Sequence, residues 1–395
     1  MNKINLAVVF GGRSVEHEVA IISGVQAMNN LNKDKYNILP IYLGKDGEML
    51  YSPDFINIDT FKHISLSTLK EKYPSVILNR IGDEVCLVEM KKQFKKGKIV
   101  SSVDVVLPVV HGTNCEDGTV QGWLELLGVP YANCNIVSSA LGMDKDLFKR
   151  VLQAVGLPTL PHLAFYGKDW VSDMTAWIER IESQFGYPVI VKPACLGSSV
   201  GIGKAKNRDE LVAAVDLASS FAQKILVERA VTNLREINCS VLGDSDECTA
   251  SECEEPFTND EILSYQEKYL SSGSSKGMTS LKRKLPADIP DELKAKIQSI
   301  SCEVFKLIDA SGVVRIDYLL EGDEAYVNEI NTIPGSLSFY LWEASGVKYV
   351  DLLDRLIELA FKRARGKSNL MFTYETNILA NASGFGTKGA KGSKM

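Results

Sequence analysis

The chain has 395 residues, 45% of them apolar, with a formal net charge of −6 and a pI near 5.5. That length accommodates roughly two to four domains, and the acidic balance excludes a general nucleic-acid surface, because the one basic run, Lys91-Lys92-Gln93-Phe94-Lys95-Lys96-Gly97-Lys98, is short and isolated. No apolar stretch reaches the ~18 residues of a bilayer span and no signal-peptide pattern opens the chain, while eight scattered cysteines without a C-x-x-C pair point to reduced thiols in a cytoplasm, not to zinc or a disulfide framework.

Ile4 to Phe10 is an apolar strand running into Gly11-Gly12, and Ser14, Glu18 and the following Val19-Ala20-Ile21-Ile22 read as a helix start, the opening unit of a parallel sheet. Strands from Tyr36 to Leu43 and Val103 to Val110, with a helix from Thr119 to Leu127, continue the alternation to about Ser139. Phe61 to Val100 reads as an insertion to which the pattern assigns no fold. From Ala140 the order becomes helix (Lys145 to Ala154), Pro-rich crossing (Leu157 to Pro161), helix (Asp173 to Phe185), strand (Tyr187 to Pro193), glycine loop, helix (Arg208 to Leu217) and strand (Ile225 to Glu228). A third unit carries the polar loop Ser271-Ser272-Gly273-Ser274-Ser275, and Gly384 to Met395, rich in Gly, Lys and Ser, reads as a disordered tail. The expected division is 1–139, 140–240, 241–366 and a tail of 367–395.

Two segments concentrate chemistry. In Val313 to Asn331, two apolar-rich runs flank Glu321-Gly322-Asp323-Glu324, the pattern of a hairpin. Alternate residues of a strand share a face, so Arg315 goes with Asp317 and Glu329 with Asn331. A three-residue loop, Gly322 to Glu324, sets Asp317 opposite Glu329 and Arg315 opposite Asn331; a two-residue loop turns the second pair away. The odd loop is expected, because two carboxylates, an amide and a guanidinium on one face suit magnesium bridging phosphates. A solvated hairpin face is the plain alternative.

Lys192 lies inside the apolar run Val189-Ile190-Val191-Lys192-Pro193, where a lone ammonium is costly unless something anionic neutralises it. Gly197-Ser198-Ser199-Val200-Gly201-Ile202-Gly203 follows, offering backbone N–H groups and hydroxyls as a flap over phosphates. The segment is not a Walker loop, and Gly11-Gly12 lacks the dinucleotide spacing.

A lysine strand, a glycine flap and a downstream acidic hairpin together resemble the ATP-grasp superfamily. Within it the chain resembles the D-alanine–D-alanine ligases from Val8 to about Ala360, through FGGRSVEHEV, HGTNCEDGTVQG, SALGMDK, IVKPACLGSSVG, YQEKY, RID and NEINTIPG in family order. The resemblance implies a mixed α/β and α+β, three-domain ATP-grasp fold with an N-terminal parallel-sheet domain. It implies ATP-dependent ligation of two D-alanines through an acylphosphate for peptidoglycan precursor synthesis, and a homodimer. By position, Glu18 binds the first D-alanine's ammonium and His111 its carboxylate end. Lys145, Lys192, Ser198, Ser199 and Lys268 meet the phosphates, Glu228, Arg229 and Val231 the adenine, and Glu236 the ribose. Asp317, Glu329 and Asn331 hold two Mg2+ ions (or Mn2+), and Arg315 stabilises the transferring phosphoryl group. Ser198 and Tyr269 join Glu18 in a hydrogen-bonded set, and Gly335, Tyr340 and Leu341 line the second substrate.

The sequence departs from the family pattern at Cys115 and Cys195, in a Glu228-to-Glu236 spacing one residue longer, and at Pro334-Gly335-Ser336-Leu337-Ser338-Phe339-Tyr340-Leu341. Tyr340 stands where the family pattern has a serine for the second carboxylate, and no proline follows. D-serine or D-lactate as second substrate is therefore an alternative, as are another ATP-grasp ligase and a non-catalytic ATP-binding protein.

Overall fold

In the computed structural model, residues 3–90, 97–256 and 283–377 are described. Three sheets organise them. The first has strands β1 (Ile4–Gly11), β2 (Tyr36–Leu43), β3 (Met49–Tyr51), β4 (Ser75–Ile81), β5 (Glu84–Glu89), β6 (Lys98–Ser102) and β7 (Val105–Val110) in the order β6-β5-β4-β3-β2-β1-β7. β1 pairs in parallel with both β2 and β7. Leu6 to Phe10 are wholly hidden, as a strand covered on both faces requires. Helices α1 (His17–Asn30), α2 (Leu66–Lys72), α3 (Thr119–Leu127), α4 (Ile136–Met143) and α5 (Lys145–Ala154) belong to this half of the chain.

The stretch to which the pattern assigned no fold extends this sheet. α2, β4 and β5 lie in it, and β3 to β6 add on antiparallel. The β4–β5 hairpin turns through Gly82-Asp83, with Ile81 opposite Glu84 and Gly82 at φ +63°, a glycine-led two-residue turn that is legible in sequence. Most of the basic run, residues 91–96, lies outside the described residues.

The second sheet, in order β10-β9-β11-β8, comprises β8 (His162–Tyr166), β9 (Val189–Pro193), β10 (Gly203–Ala205) and β11 (Lys224–Arg229). α6 (Gly167–Ser172), α7 (Met174–Phe185) and α8 (Arg208–Ser219) bring Trp170, Ile181, Leu211 and Val215 onto Val189, Val191, Ile225 and Val227. With a side-chain period of two, Lys192 and Glu228 therefore project from the other face.

β12 (Arg235–Gly243), β13 (Cys248–Pro256), β14 (Arg283–Lys284), β15 (Gly312–Glu321) and β16 (Glu324–Asn331) form the third sheet, in order β14-β13-β12-β15-β16. α9 (Asp291–Leu307) packs Ile297, Val304 and Phe305 against Ile237, Cys239, Val314, Ile316 and Tyr318, leaving Glu236, Asn238, Arg315 and Asp317 on the opposite face. α10 (Phe339–Ala344) and α11 (Tyr349–Ser368) follow. Leu352, Leu353, Leu356 and Ile357 of α11 join the same buried cluster as β1, so this late helix is built into the first sheet's core.

Candidate active site

The β15–β16 hairpin corrects one expectation and keeps its consequence. Glu321 pairs with Glu324, so the loop is Gly322-Asp323, two residues and not three, with Gly322 at φ +60°. By parity alone Glu329 and Asn331 would then turn into the core. A register shift between Asp317 and Tyr318 absorbs one extra residue on β16, and Asp317 faces Glu329 while Arg315 faces Asn331. The core side records the same slip: Ala325 and Val327 are buried with α9, and then Ile330. A bulge re-aims side chains in this way and is a frequent device beside active sites.

On this face the anions are already paired with cations. Arg315 donates from Nε and Nη2 to the Asp317 carboxylate at 2.6 and 2.7 Å, and Asn331 Nδ2 donates to Asp317 Oδ2 at 3.1 Å. Lys145 Nζ lies 3.0 Å from Glu329 Oε2 and donates to Leu196 O at 2.8 Å. Burial alone would lower the Lys145 ammonium, but Glu329 more than offsets it and holds it above the usual lysine range.

Beside these lies a second buried set. Lys192 Nζ is 2.5 Å from Glu228 Oε1 and donates to Asn328 Oδ1 at 3.0 Å, so Asn328, at the slipped register, meets the lysine strand. Lys149 of α5, with no exposed surface, brings Nζ to 3.0 Å from Glu228 Oε2. Burial would raise the Glu228 carboxyl; the two ammonium groups outweigh it and hold it down at about 2. A carboxyl depressed in the fold stabilises above its unfolded value and loses that contribution as pH falls through its folded one. The urea midpoint is therefore expected to drop between about pH 4.5 and pH 2, measured with Glu228→Gln as the control whose profile is flatter.

Where the glycine flap meets the first sheet, Ser198 Oγ donates to Glu16 Oε1. Glu16, not Glu18, is the carboxylate brought to the flap: Glu16 is 8% exposed, whereas the Glu18 side chain is 62% exposed and pairs with Lys45 at 2.6 Å. Glu16 caps α1 with a non-helical backbone (φ −98°, ψ 17°) and Glu18 lies within its first turn, so the two carboxylates leave the chain in different directions and Glu18 reaches solvent. Gly112, at φ +75°, admits this carboxylate, since a Cβ there would lie 2.7 Å from Glu16 Oε2. Ser198 and Ser199 both adopt φ +57°, a left-handed conformation that concentrates at functional sites.

His111 is buried, its Nδ1 2.8 Å from Ile333 O and its Nε2 2.9 Å from Ser23 Oγ. Ser23 Oγ also accepts from Ser336 N at 2.9 Å, and Ser336 Oγ donates to Gln26 at 2.7 Å. These bonds hold Ser336, Leu337 and Ser338 at φ 52°, 53° and 50°, three successive left-handed residues that cost about 1–2 kcal/mol each in isolation. Beyond them Tyr340 is buried, donates to Glu254 Oε1 at 2.8 Å and carries the Arg283 guanidinium 4.0 Å over its ring. Burial and Glu254 push its phenol well above the ordinary range.

The profile of the D-ala D-ala ligase N-terminus matches residues 5–134, and that of the D-ala D-ala ligase C-terminus matches residues 151–358. The chain belongs to the D-alanine–D-alanine ligase family. It is 38% identical to the D-alanine–D-alanine ligase of Caldicellulosiruptor bescii, over 95% of this chain and 100% of that one. With the ligase of a Thermoanaerobacter species it shares 41% identity over 91% and 97% of the two chains. Among solved structures, the D-alanine–D-alanine ligase from Coxiella burnetii superposes with a TM-score of 0.75 at 30% identity, covering 93% of this chain and 96% of that one. VanG D-Ala:D-Ser ligase from Enterococcus faecalis superposes equally, at 0.75 and 30%, over 91% and 100%. The chain is thus an ATP-dependent ligase of this family on the ATP-grasp fold.

Within this ligase the structure brings together Lys145, Lys192, Glu228, Asp317, Glu329, Asn331 and Arg315, and joins Ser198 to Glu16. Arg229 is engaged elsewhere, bidentate on Glu321 at 3.0 and 2.6 Å, tying β11 to β15. Val231 is half-buried just beyond, Glu236 is half-buried on β12 opposite Leu319, and Leu341 is fully buried behind the strained loop. Lys268 and Tyr269, and the polar loop around Ser271, lie outside the described residues. Cys115 packs against Gly12, where a Cβ would come within 2.3 Å of Sγ, and Cys195 is half-buried. Lys149, Asn328, Glu254 and Glu16 were not singled out from sequence. For Glu16 a signal existed: Ser14 and Glu16 precede the helix, whereas Glu18 lies inside it.

Proposed function

We propose that this ligase joins D-alanine to a second D-alanine, forming D-alanyl-D-alanine with cleavage of ATP to ADP and phosphate. The observation that carries the mechanism is the paired face Asp317–Glu329 and Arg315–Asn331, aligned with Lys145 and Lys192 across the two sheets. Its donors fit magnesium: the carboxylate and amide oxygens of Asp317, Glu329 and Asn331 are hard ligands, and their present cation partners are groups suited to phosphate oxygens. Bound magnesium would neutralise the triphosphate and polarise the γ-phosphoryl group.

The chain's own side chains do the positioning. Glu16 receives the ammonium of the first D-alanine, and its bond to Ser198 closes the flap over the nucleotide. That substrate's carboxylate attacks the γ-phosphoryl group, giving an acylphosphate and ADP. Arg315 faces the charge that develops there and again on the tetrahedral intermediate, when the second amine attacks the acyl carbon and phosphate leaves. No protein nucleophile takes part, so rate enhancement rests on orientation and on donors set in place beforehand. The flap excludes water from an intermediate that water would destroy.

Phosphate release coupled to D-alanine alone, compared with D-alanine plus D-serine or D-lactate across pH, tests the reading. D-alanine alone is expected to sustain turnover with the dipeptide as product. A strong preference for either mixture would assign the second substrate to the hydroxyl-bearing alternatives, for which Tyr340 at the acceptor loop is the favouring observation.

A further inference from the structure

Lys149 has no role in the scheme above, yet it is among the most buried side chains of the protein. Its ammonium has no exposed surface and no hydrogen-bond partner among the described residues. The 3.0 Å approach to Glu228 Oε2 is off-angle, a Coulombic contact whose hydrogen-bonding capacity is unfilled on both sides. Burying an ammonium in this way is costly unless a charge is there to be compensated. The compensated charge is Glu228, 1% exposed, whose other oxygen is held by Lys192 at 2.5 Å. The set therefore holds two cations for one anion, and the second cation is superfluous as long as Lys192 stays on Glu228.

We propose that Lys149 is a positioning residue that takes over Glu228 when nucleotide binds, releasing Lys192 to the phosphates. Lys192 is shared between Glu228 and Asn328, and a phosphate oxygen must compete with a buried carboxylate for it. Without a second cation, that exchange would strand Glu228 as an unpaired buried anion. With Lys149 in place, a small rotation of the carboxylate completes the hydrogen bond that is now off-angle, and the exchange keeps every charge paired. Lys149 comes from α5, the helix that begins with Lys145, so one rigid element sets both the phosphate cation and the residue that frees the other. Burial lowers the Lys149 ammonium below the usual lysine range, and Glu228 offsets only part of that.

The inference rests on the nucleotide-binding reading, and its test separates the two. ADP binding with magnesium is measured by calorimetry for wild type, Lys149→Met, Glu228→Gln and the double variant, alongside thermal melts. Lys149→Met is expected to weaken ADP at least about tenfold and to raise the KM for ATP, with kcat within about threefold, because a charge-assisted hydrogen bond completed only in the complex is lost. In the Glu228→Gln background the same substitution should change ADP affinity by less than about twofold, because no anion remains to be taken over. Tight ADP binding by wild type with unchanged binding by Lys149→Met, whether or not the melting temperature falls, overturns the inference alone. An equal penalty in both backgrounds overturns it as well. Absence of ADP binding by wild type overturns the inference and the nucleotide reading together.

Discussion

Asp317→Asn is expected to lower turnover by at least about 10²–10³-fold, the usual loss when one preorganised electrostatic group is removed from a reacting centre. The direction follows from two functions of this carboxylate. It is opposed to Glu329 as one half of the proposed magnesium seat, and it orients Arg315 through two hydrogen bonds at 2.6 and 2.7 Å. The amide keeps an acceptor oxygen for Arg315, so the fold should persist. Arg315 is 8% exposed, and alanine in place of Asp317 would leave a nearly buried guanidinium without its partner, a change that can cost 3–5 kcal/mol. Asparagine is therefore the sharper probe. Phosphate release and circular-dichroism melts on the same preparation decide the matter: turnover within about threefold of wild type, with an unchanged melt, would remove the metal-hairpin mechanism.

The pair Glu16→Gln and Glu18→Gln should separate by one to two orders of magnitude. Glu16 is buried against the flap and accepts from Ser198. Neutralising it removes both the proposed ammonium site and a charge-assisted hydrogen bond of about 1.5–3 kcal/mol, a fall in kcat/KM for D-alanine of about 10–150-fold. Glu18 makes an exposed pair with Lys45, and exposed pairs are worth about 0–1 kcal/mol, so its variant should stay within about threefold of wild type. Steady-state kinetics in D-alanine at saturating ATP reads both. A larger loss at Glu18 than at Glu16 would mean that the flap contact is not the substrate-binding arrangement.

Much of the candidate site was legible because its chemistry is local in sequence. Arg315 and Asp317, or Glu329 and Asn331, are two apart on a strand and must share a face, and a lysine in an apolar strand must be answered by an anion. The resemblance placed Glu18 at the flap, whereas Ser198 meets Glu16, because two acids of one motif, one capping α1 and one inside it, are told apart only by where the fold sends each side chain. The hairpin shows the opposite compensation, in which the expected loop length was wrong and the expected face right, since the extra residue sits in the strand and not in the turn. A bulge has no reliable local signature, because what stabilises it is the bond it makes elsewhere, here from Lys192 to Asn328.

Periodicity, turn glycines and ordered motifs were enough to specify the parallel opening of the first sheet, the lysine strand, the acidic hairpin and the ligase family, because each depends on residues within a few positions of one another. Tertiary structure alone decided which glutamate reaches the flap, that Lys149 and Lys192 share Glu228, that Tyr340 is bound to Glu254, and that α11 completes the core of the first sheet. Those pairings join side chains up to a few hundred residues apart. They are selected by burial, which leaves a charge no water to turn to and so makes its nearest opposite charge compulsory.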